Sequence, residues 1–210
     1  MTVFVAVLGA APGVGKSTLC DRLAAALADR GLSVDHFREE EILSRPAYAP
    51  VAAEFRASGV VRPETLLAAT AEYVATATGD VAVTDALFPY LPSLRAWGHL
   101  PEQITGFLVE LARIVRPVLL YVDGDPLAAL PRAAAREQDA GWLDWHVGKL
   151  AAAPGSGVRD VPTAAAYLRA ERDLTLRLLA DWDLHVLPAG PPEELLRTAL
   201  AVITSALARC

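Results

Sequence analysis

The ten residues GAAPGVGKST, Gly9 to Thr18, separate two runs of different period. Before them, TVFVAVL (2–8) is a continuous, β-rich apolar run, which predicts a strand buried on both faces. After them, Leu19, Leu23, Ala26 and Leu27 recur at helical spacing from Ser17 to Arg30, and Gly31 ends the helix. In the turn itself, Gly13 and Gly15 let the backbone aim its N–H groups inward around an anion. The helix N-terminus adds partial positive charge at the same place.

Counted from Ala10, the stretch reads [Gly/Ala]-x-x-x-x-Gly-Lys-[Ser/Thr], in the strand–turn–helix context that a P-loop requires. Read in that way, Pro12, Gly13, Val14, Gly15, Lys16, Ser17 and Thr18 bind a nucleotide. Lys16 reaches the β- and γ-phosphates, and the Ser17 hydroxyl is a ligand for Mg²⁺.

Apolar runs alternate with amphipathic helices through the rest of the chain. LSVDHF (32–37), DVAVTD (80–85), PVLLYVD (117–123) and LHVLPAG (184–190) predict four further strands. Helices are predicted over 63–78, 101–115, 163–180 and 193–208, with another starting near Pro126. Pro46 and Pro50 break the segment between the second strand and the 63–78 helix into short helical pieces, and 154–162 is a loop. Five strands with interleaved helices predict a three-layer α/β fold in a single domain over 1–210.

Composition narrows the function. A net charge of −6 lacks the basic face that general nucleic-acid binding requires. No apolar run approaches the ~20 residues of a membrane span, so no membrane partner is expected and a cytoplasmic protein is. The apolar start has no basic segment before it and runs straight into the glycine turn, so it reads as a strand and not a signal peptide. The two cysteines, Cys20 and Cys210, make no disulfide framework.

Among P-loop classes, the chain has no Asn and therefore no Asn-Lys-x-Asp guanine reader. Asp85 and Asp123 end their strands singly, without the acidic pair of motor-like ATPases. A kinase needs a base near the acceptor hydroxyl and cations that cover the moving phosphoryl group. Asp85 stands at the C-terminal end of a strand, where open α/β sheets bind ligands, and qualifies as base or as a water-mediated Mg²⁺ ligand beside Ser17. Arg132 and Arg136, spaced i, i+4, share a helix face and suit phosphate oxygens.

With these residues placed, the chain resembles the thymidylate kinase-like and deoxynucleoside kinase-like branch of P-loop kinases, over nearly its whole length. HFREE (36–40), LLAATAEYV (66–74), VAVTDALFPY (81–90), RPVLLYVDGDPLAALPRAAARE (116–137) and LHVLPAGPPEELL (184–196) follow that branch's motifs in order. The resemblance implies a parallel sheet in the order 2-3-1-4-5, ATP as donor with Mg²⁺, and an arginine-bearing lid around 132–146. It implies that the 187–191 loop, with Ala189 and Gly190, flanks the base. In the deoxynucleoside kinases the carboxylate after the second strand takes the hydroxyl proton, which makes Glu39 or Glu40 a second candidate base. Phe55, Tyr73, Phe88, Tyr90 and Trp97 fall in the segments that line the acceptor side. They stack on the acceptor or fill the core. Kinases of this fold often pair, so a homodimer is an open expectation.

The departures bear on the acceptor. Ala86 and Leu87 stand where the branch has Arg and Tyr, and Glu72 stands near the place of its substrate-phosphate Arg. Without those cations an acceptor phosphate loses its charge-assisted bonds. The expected activity is therefore phosphorylation of a hydroxyl on a nucleoside, sugar or amine-bearing natural product. The alternative is a nucleoside monophosphate kinase that uses Arg38, Arg56, Arg62 or Arg95 instead. A regulatory P-loop ATPase is the third reading.

Overall fold

The computed structural model describes residues 2–85, 88–137 and 139–209. The elements run β1 (Val3–Gly9), α1 (Lys16–Ala28), β2 (Val34–Phe37), α2 (Ala49–Ser58), α3 (Pro63–Thr76), β3 (Val81–Thr84), α4 (Leu91–Ala96) and α5 (Pro101–Ile114). They continue β4 (Val118–Asp123), α6 (Pro126–Glu137), α7 (Trp142–Ala151), α8 (Val161–Leu178), β5 (Leu184–Pro188) and α9 (Pro192–Leu207). Two single turns of 3₁₀ helix, Glu39–Glu41 and Pro46–Tyr48, fill the segment that Pro46 and Pro50 interrupt.

All neighbouring strands pair in parallel in the order β2-β3-β1-β4-β5, with helices on both faces. β1 is central, and its alternation explains why it reads as continuously apolar. Val3, Val5 and Val7 join a core built with Leu19, Leu23 and Leu27 of α1, Leu130 of α6 and Ile203 of α9. Ala6 and Leu8 point the other way, into a core with Leu66 and Tyr73 of α3 and Phe107 and Leu111 of α5. In the centre of a parallel sheet covered on both faces, β1 is buried or half-buried at every position, so nothing polar interrupts the run.

Register brings the strand exits to one edge. Gly9 pairs with Val122, and Thr84 pairs with both Ala6 and Phe37. Asp85, Asp123 and the turn after Gly9 thus emerge side by side. The remaining strand exit is tied in by the Ala189 N–H, which donates to the Asp123 carbonyl at 3.0 Å.

Two helices go beyond the sequence expectation. Residues 91–96 form α4 where turns are expected, and 142–151 form α7 across the end of the expected 132–146 lid. The 132–146 segment therefore takes in the end of α6 and the start of α7. The signal for α7 is present in the sequence: Leu143, Val147 and Leu150 recur at i, i+4, i+7, and all three pack on the core.

Candidate functional site

The turn between β1 and α1 is shaped by two glycines with positive φ, Gly13 at 81° and Gly15 at 106°. Gly15 caps α1, which starts at Lys16 without any side-chain cap and without an acidic residue in its first turn. The N–H groups of Gly13, Val14 and Gly15 have no hydrogen-bond partner among the described residues. Uncapped N–H groups at a helix start, with nothing among the described residues to satisfy them, fit an anion.

Gly13 is indispensable for a second reason. A Cβ on it would lie 2.3 Å from the Ala129 carbonyl and 3.0 Å from the Ala133 nitrogen. α6 therefore packs backbone to backbone on the turn. Lys16 folds back along the turn, its Cγ lying 3.0 Å from where a Gly9 Cβ would be.

Charge converges at this point. Burial lowers the Lys16 pKa from its ordinary value, Glu39 and Asp85 oppose that shift, and Arg136 reinforces it. Three charged groups, from the β2 exit, the β3 exit and α6, are thus close enough to act on one ammonium. Glu39 is raised, first by desolvation, against the pull of Lys16 and with a push from Asp85; Lys149 of α7 also acts on it. Glu39 is exposed at the surface.

The two candidate bases are not equivalent. Asp85 is buried, with 4% of its surface exposed, and its Oδ1 accepts the backbone N–H of Glu39 at 3.0 Å. The Glu39 side chain has no hydrogen-bond partner among the described residues. Glu40 and Glu72 are exposed on the surface. Ser17 and Thr18, at the start of α1, are exposed. Ser17 is the second residue of α1, and Asp85 follows β3, the strand beside β1. Among the described residues no group of three or more His, Cys, Asp or Glu side chains is placed to hold a metal.

On α6, Arg132 is exposed with no partner among the described residues, and Arg136 donates to Glu137 at 2.6 and 3.1 Å. Ala189 and Gly190 are exposed just beyond β5, and the Ala189 Cβ lies 3.3 Å from a Cβ built on Gly124.

The aromatic candidates divide. Tyr73 and Tyr90 are core residues, 7% and 2% exposed, and not an accessible substrate wall. The Tyr73 hydroxyl donates to Asp35 Oδ2 at 2.9 Å, while the Tyr90 hydroxyl lies 2.5 Å from that of Tyr48 and 3.1 Å from Thr70 Oγ1. Phe88 and Trp97 are half-buried against the same core, and Phe88 meets Tyr90 and Trp182 edge-on. Phe55 alone of the five is exposed, at 40%. Tyr73, Phe88 and Tyr90, with Phe4, Phe37 and Tyr48, line a small cavity of about 20 Å³, room for about one water. Ala86 and Leu87, whose identity bears on the acceptor, lie outside the described residues, as does Cys210.

No protein-family model matches the chain, and neither does any curated protein.

Three features of the site escape a sequence reading. Arg172 of α8 holds Asp123 with two bonds, 2.7 and 2.6 Å, so this strand-end carboxylate is a structural anchor. His146, one of four histidines with no metal-like spacing, is buried on α7 and acts electrostatically with Lys16. Lys149, one of only two lysines, is within electrostatic reach of Glu39. Only the i, i+3 spacing of His146 and Lys149 on α7 could have flagged them.

Proposed function

We propose that this chain is a P-loop phosphotransferase of the thymidylate kinase-like and deoxynucleoside kinase-like type, moving the γ-phosphoryl group of ATP to a hydroxyl of a small molecule that carries no phosphate. The observation that carries the reading is the meeting of Lys16, Glu39, Asp85 and Arg136 at an uncapped, glycine-shaped helix start. A cluster of this composition has the parts phosphoryl transfer needs: an anion cradle, a mobile cation and a carboxylate facing a cationic lysine.

In this reading the N–H groups of Gly13, Val14 and Gly15 cradle the phosphates and the Lys16 ammonium neutralises the β- and γ-oxygens. Ser17 and Asp85 would hold Mg²⁺, which when bound neutralises charge on the phosphates and fixes their geometry. Glu39 accepts the proton of the acceptor O–H as that oxygen bonds to the γ-phosphorus. The bond from phosphorus to the β,γ-bridging oxygen breaks, and ADP leaves with the electron pair. Arg132 and Arg136 neutralise charge on the transferring group.

The preference for an acceptor without phosphate rests on the arginines available to hold one. Arg38 bonds Asp21 at 3.1 Å, Arg62 pairs with Glu54, and Arg95 pairs with Glu171 at 3.2 Å. Arg45, fixed by Asp35 and Glu41 and lying over the Phe37 ring, is neutralised as well. Of these five arginines, Arg56, which reaches the Leu43 carbonyl at 3.5 Å, is the one without a carboxylate among the described residues.

The test is a panel of nucleosides, aminoglycosides, sugars and nucleoside monophosphates incubated with MgATP, with mass detection of an added phosphoryl group. A phosphorylated product from an unphosphorylated alcohol, lost in Lys16→Ala, is expected. Turnover of monophosphates alone would favour a nucleoside monophosphate kinase. ATP consumption without any product would favour a regulatory ATPase, and full activity in Lys16→Ala would defeat the P-loop reading itself.

A further inference from the structure

One ion-pair cluster has no part in the chemistry described so far. Arg45 stands between the two 3₁₀ turns, and its side chain is 23% exposed. Its guanidinium forks onto Asp35 of β2, Nη1 to Oδ2 at 3.1 Å and Nη2 to Oδ1 at 2.9 Å. Along another edge, Nε and Nη2 donate to Glu41 Oε2 at 3.2 and 3.0 Å, and Nη2 also reaches the His36 carbonyl at 2.9 Å. The flat face lies over the Phe37 ring, 4.5 Å from its centroid. The Tyr73 hydroxyl of α3 completes the cluster on Asp35 Oδ2 at 2.9 Å.

Charges taken out of water add little net stability even when paired, because desolvation offsets their attraction. What a planar, multiply bonded guanidinium supplies is position. Asp35 is fixed by the sheet, in register with Ala82 of β3. Arg45 seats on Asp35, and Glu41 seats on Arg45. The same Glu41 Oε2 accepts the Arg38 N–H at 3.4 Å, and the Glu41 N–H donates to the Arg38 carbonyl at 3.0 Å, so Glu41 closes the turn on itself. Glu39 lies inside that turn, with its own N–H tied to Asp85 at 3.0 Å. The turn is thus held on two sides, to the β3 exit through Asp85 and to β2 through Glu41 and Arg45.

We infer that Arg45 is the positioning residue of the candidate base: acting through Glu41, it holds the turn that carries Glu39 in place against β2. It touches no reacting atom itself. This rests on the reading of Glu39 as proton acceptor in a P-loop phosphotransferase, and the experiment tells their failures apart.

Turnover is followed as ADP formed from MgATP with the pooled nucleosides, aminoglycosides and sugars of the panel above, for the full chain and its variants. Arg45→Met removes the bonds and keeps the stem. Arg45→Lys keeps the charge, but one ammonium cannot both fork onto Asp35 and bridge to Glu41. Glu41→Ala cuts the link and leaves the Arg45–Asp35 pair intact. Each should lower kcat by about 10-fold or more, with KM for ATP within about 3-fold of the parent. The deciding comparison is made in a Glu39→Gln background. There R45M and E41A should cost less than about 2-fold, because a residue that acts through Glu39 has nothing left to position. A merely structural Arg45 would lower turnover by the same factor in both backgrounds.

Equal losses in the two backgrounds, or an unchanged kcat in E41A, overturn the inference and leave the reading of Glu39 intact. Full turnover in R45K also overturns it, because charge alone would then suffice. If Glu39→Gln keeps the parent's turnover, Glu39 is not the base, and this inference falls with it while the P-loop reading stands. A parent that forms no ADP ends all three. Should R45M not fold, E41A decides, since it leaves Asp35 paired.

Discussion

The backbone N–H of Glu39 donates to Asp85 Oδ1 at 3.0 Å, which ties two carboxylates together and gives them different work. Asp85 is buried and engaged; the Glu39 side chain is accessible and unpartnered among the described residues. Asp85 thus fixes the segment that carries Glu39 toward Lys16. Glu39→Gln should lower kcat by at least about 100-fold with little change in KM for ATP. Asp85→Asn keeps an oxygen that can accept the Glu39 N–H and should cost about 10-fold. Equal or reversed losses would make Asp85 the base.

Desolvation and the Asp85 charge outweigh Lys16 at Glu39, so its pKa lies above the ordinary 4.5. Activity requires the carboxylate, so kcat/KM should fall as pH drops through a midpoint above 4.5, not at it. The linkage to stability has the opposite sense. A raised carboxyl pKa means that folding favours the protonated form, and that contribution is lost as pH rises through the folded value. Glu39→Gln should therefore be no less stable than the parent at pH 7 to 8 by thermal melting, even while activity is lost.

Gly13→Ala tests the seat of α6. The new methyl would meet the Ala129 carbonyl at 2.3 Å in a backbone whose φ of +81° already disfavours a side chain. The expected cost is about 2–4 kcal/mol in urea unfolding, together with loss of Mg–AMP-PNP binding. Gly15→Ala meets no atom within 4 Å and carries only the strain of φ +106°, so it should cost less stability, about 1–2 kcal/mol.

Two arginines should separate activity from stability. Arg132→Ala removes an exposed, unpartnered side chain, so stability should stay within about 0.5 kcal/mol while kcat falls by about 100-fold or more. Arg172→Ala leaves the Asp123 carboxylate without its two-bond partner. It should cost about 1–3 kcal/mol and raise amide exchange in α8 and at the start of α6. A kinetic defect for Arg172 without a stability defect would make it a site residue instead of an anchor.

The placement of the turn was legible because strand, glycines and helix are contiguous. Val3 to Gly9, the positive φ of Gly13 and Gly15 and the helix from Lys16 follow from local sterics and period alone. The sheet order matches what the family resemblance implied. The aromatic residues were not legible in the same way. Tyr73 and Tyr90 have the composition of a stacking surface, but a ring with a hydroxyl serves a core equally well once that hydroxyl finds Asp35, Tyr48 or Thr70. Which of the two it becomes depends on partners distant in sequence.

By itself, then, the sequence determined the alternation of strands and helices and the glycine turn with Lys16 and Ser17. Those are properties of neighbouring residues or of composition. Only tertiary structure decided that Asp85 carries Glu39, that Arg172 occupies Asp123, and that His146 is buried within reach of Lys16. Those pairs are separated by 46, 49 and 130 positions, and no period along the chain encodes a distance that a parallel sheet closes by bringing all its strand exits to one edge.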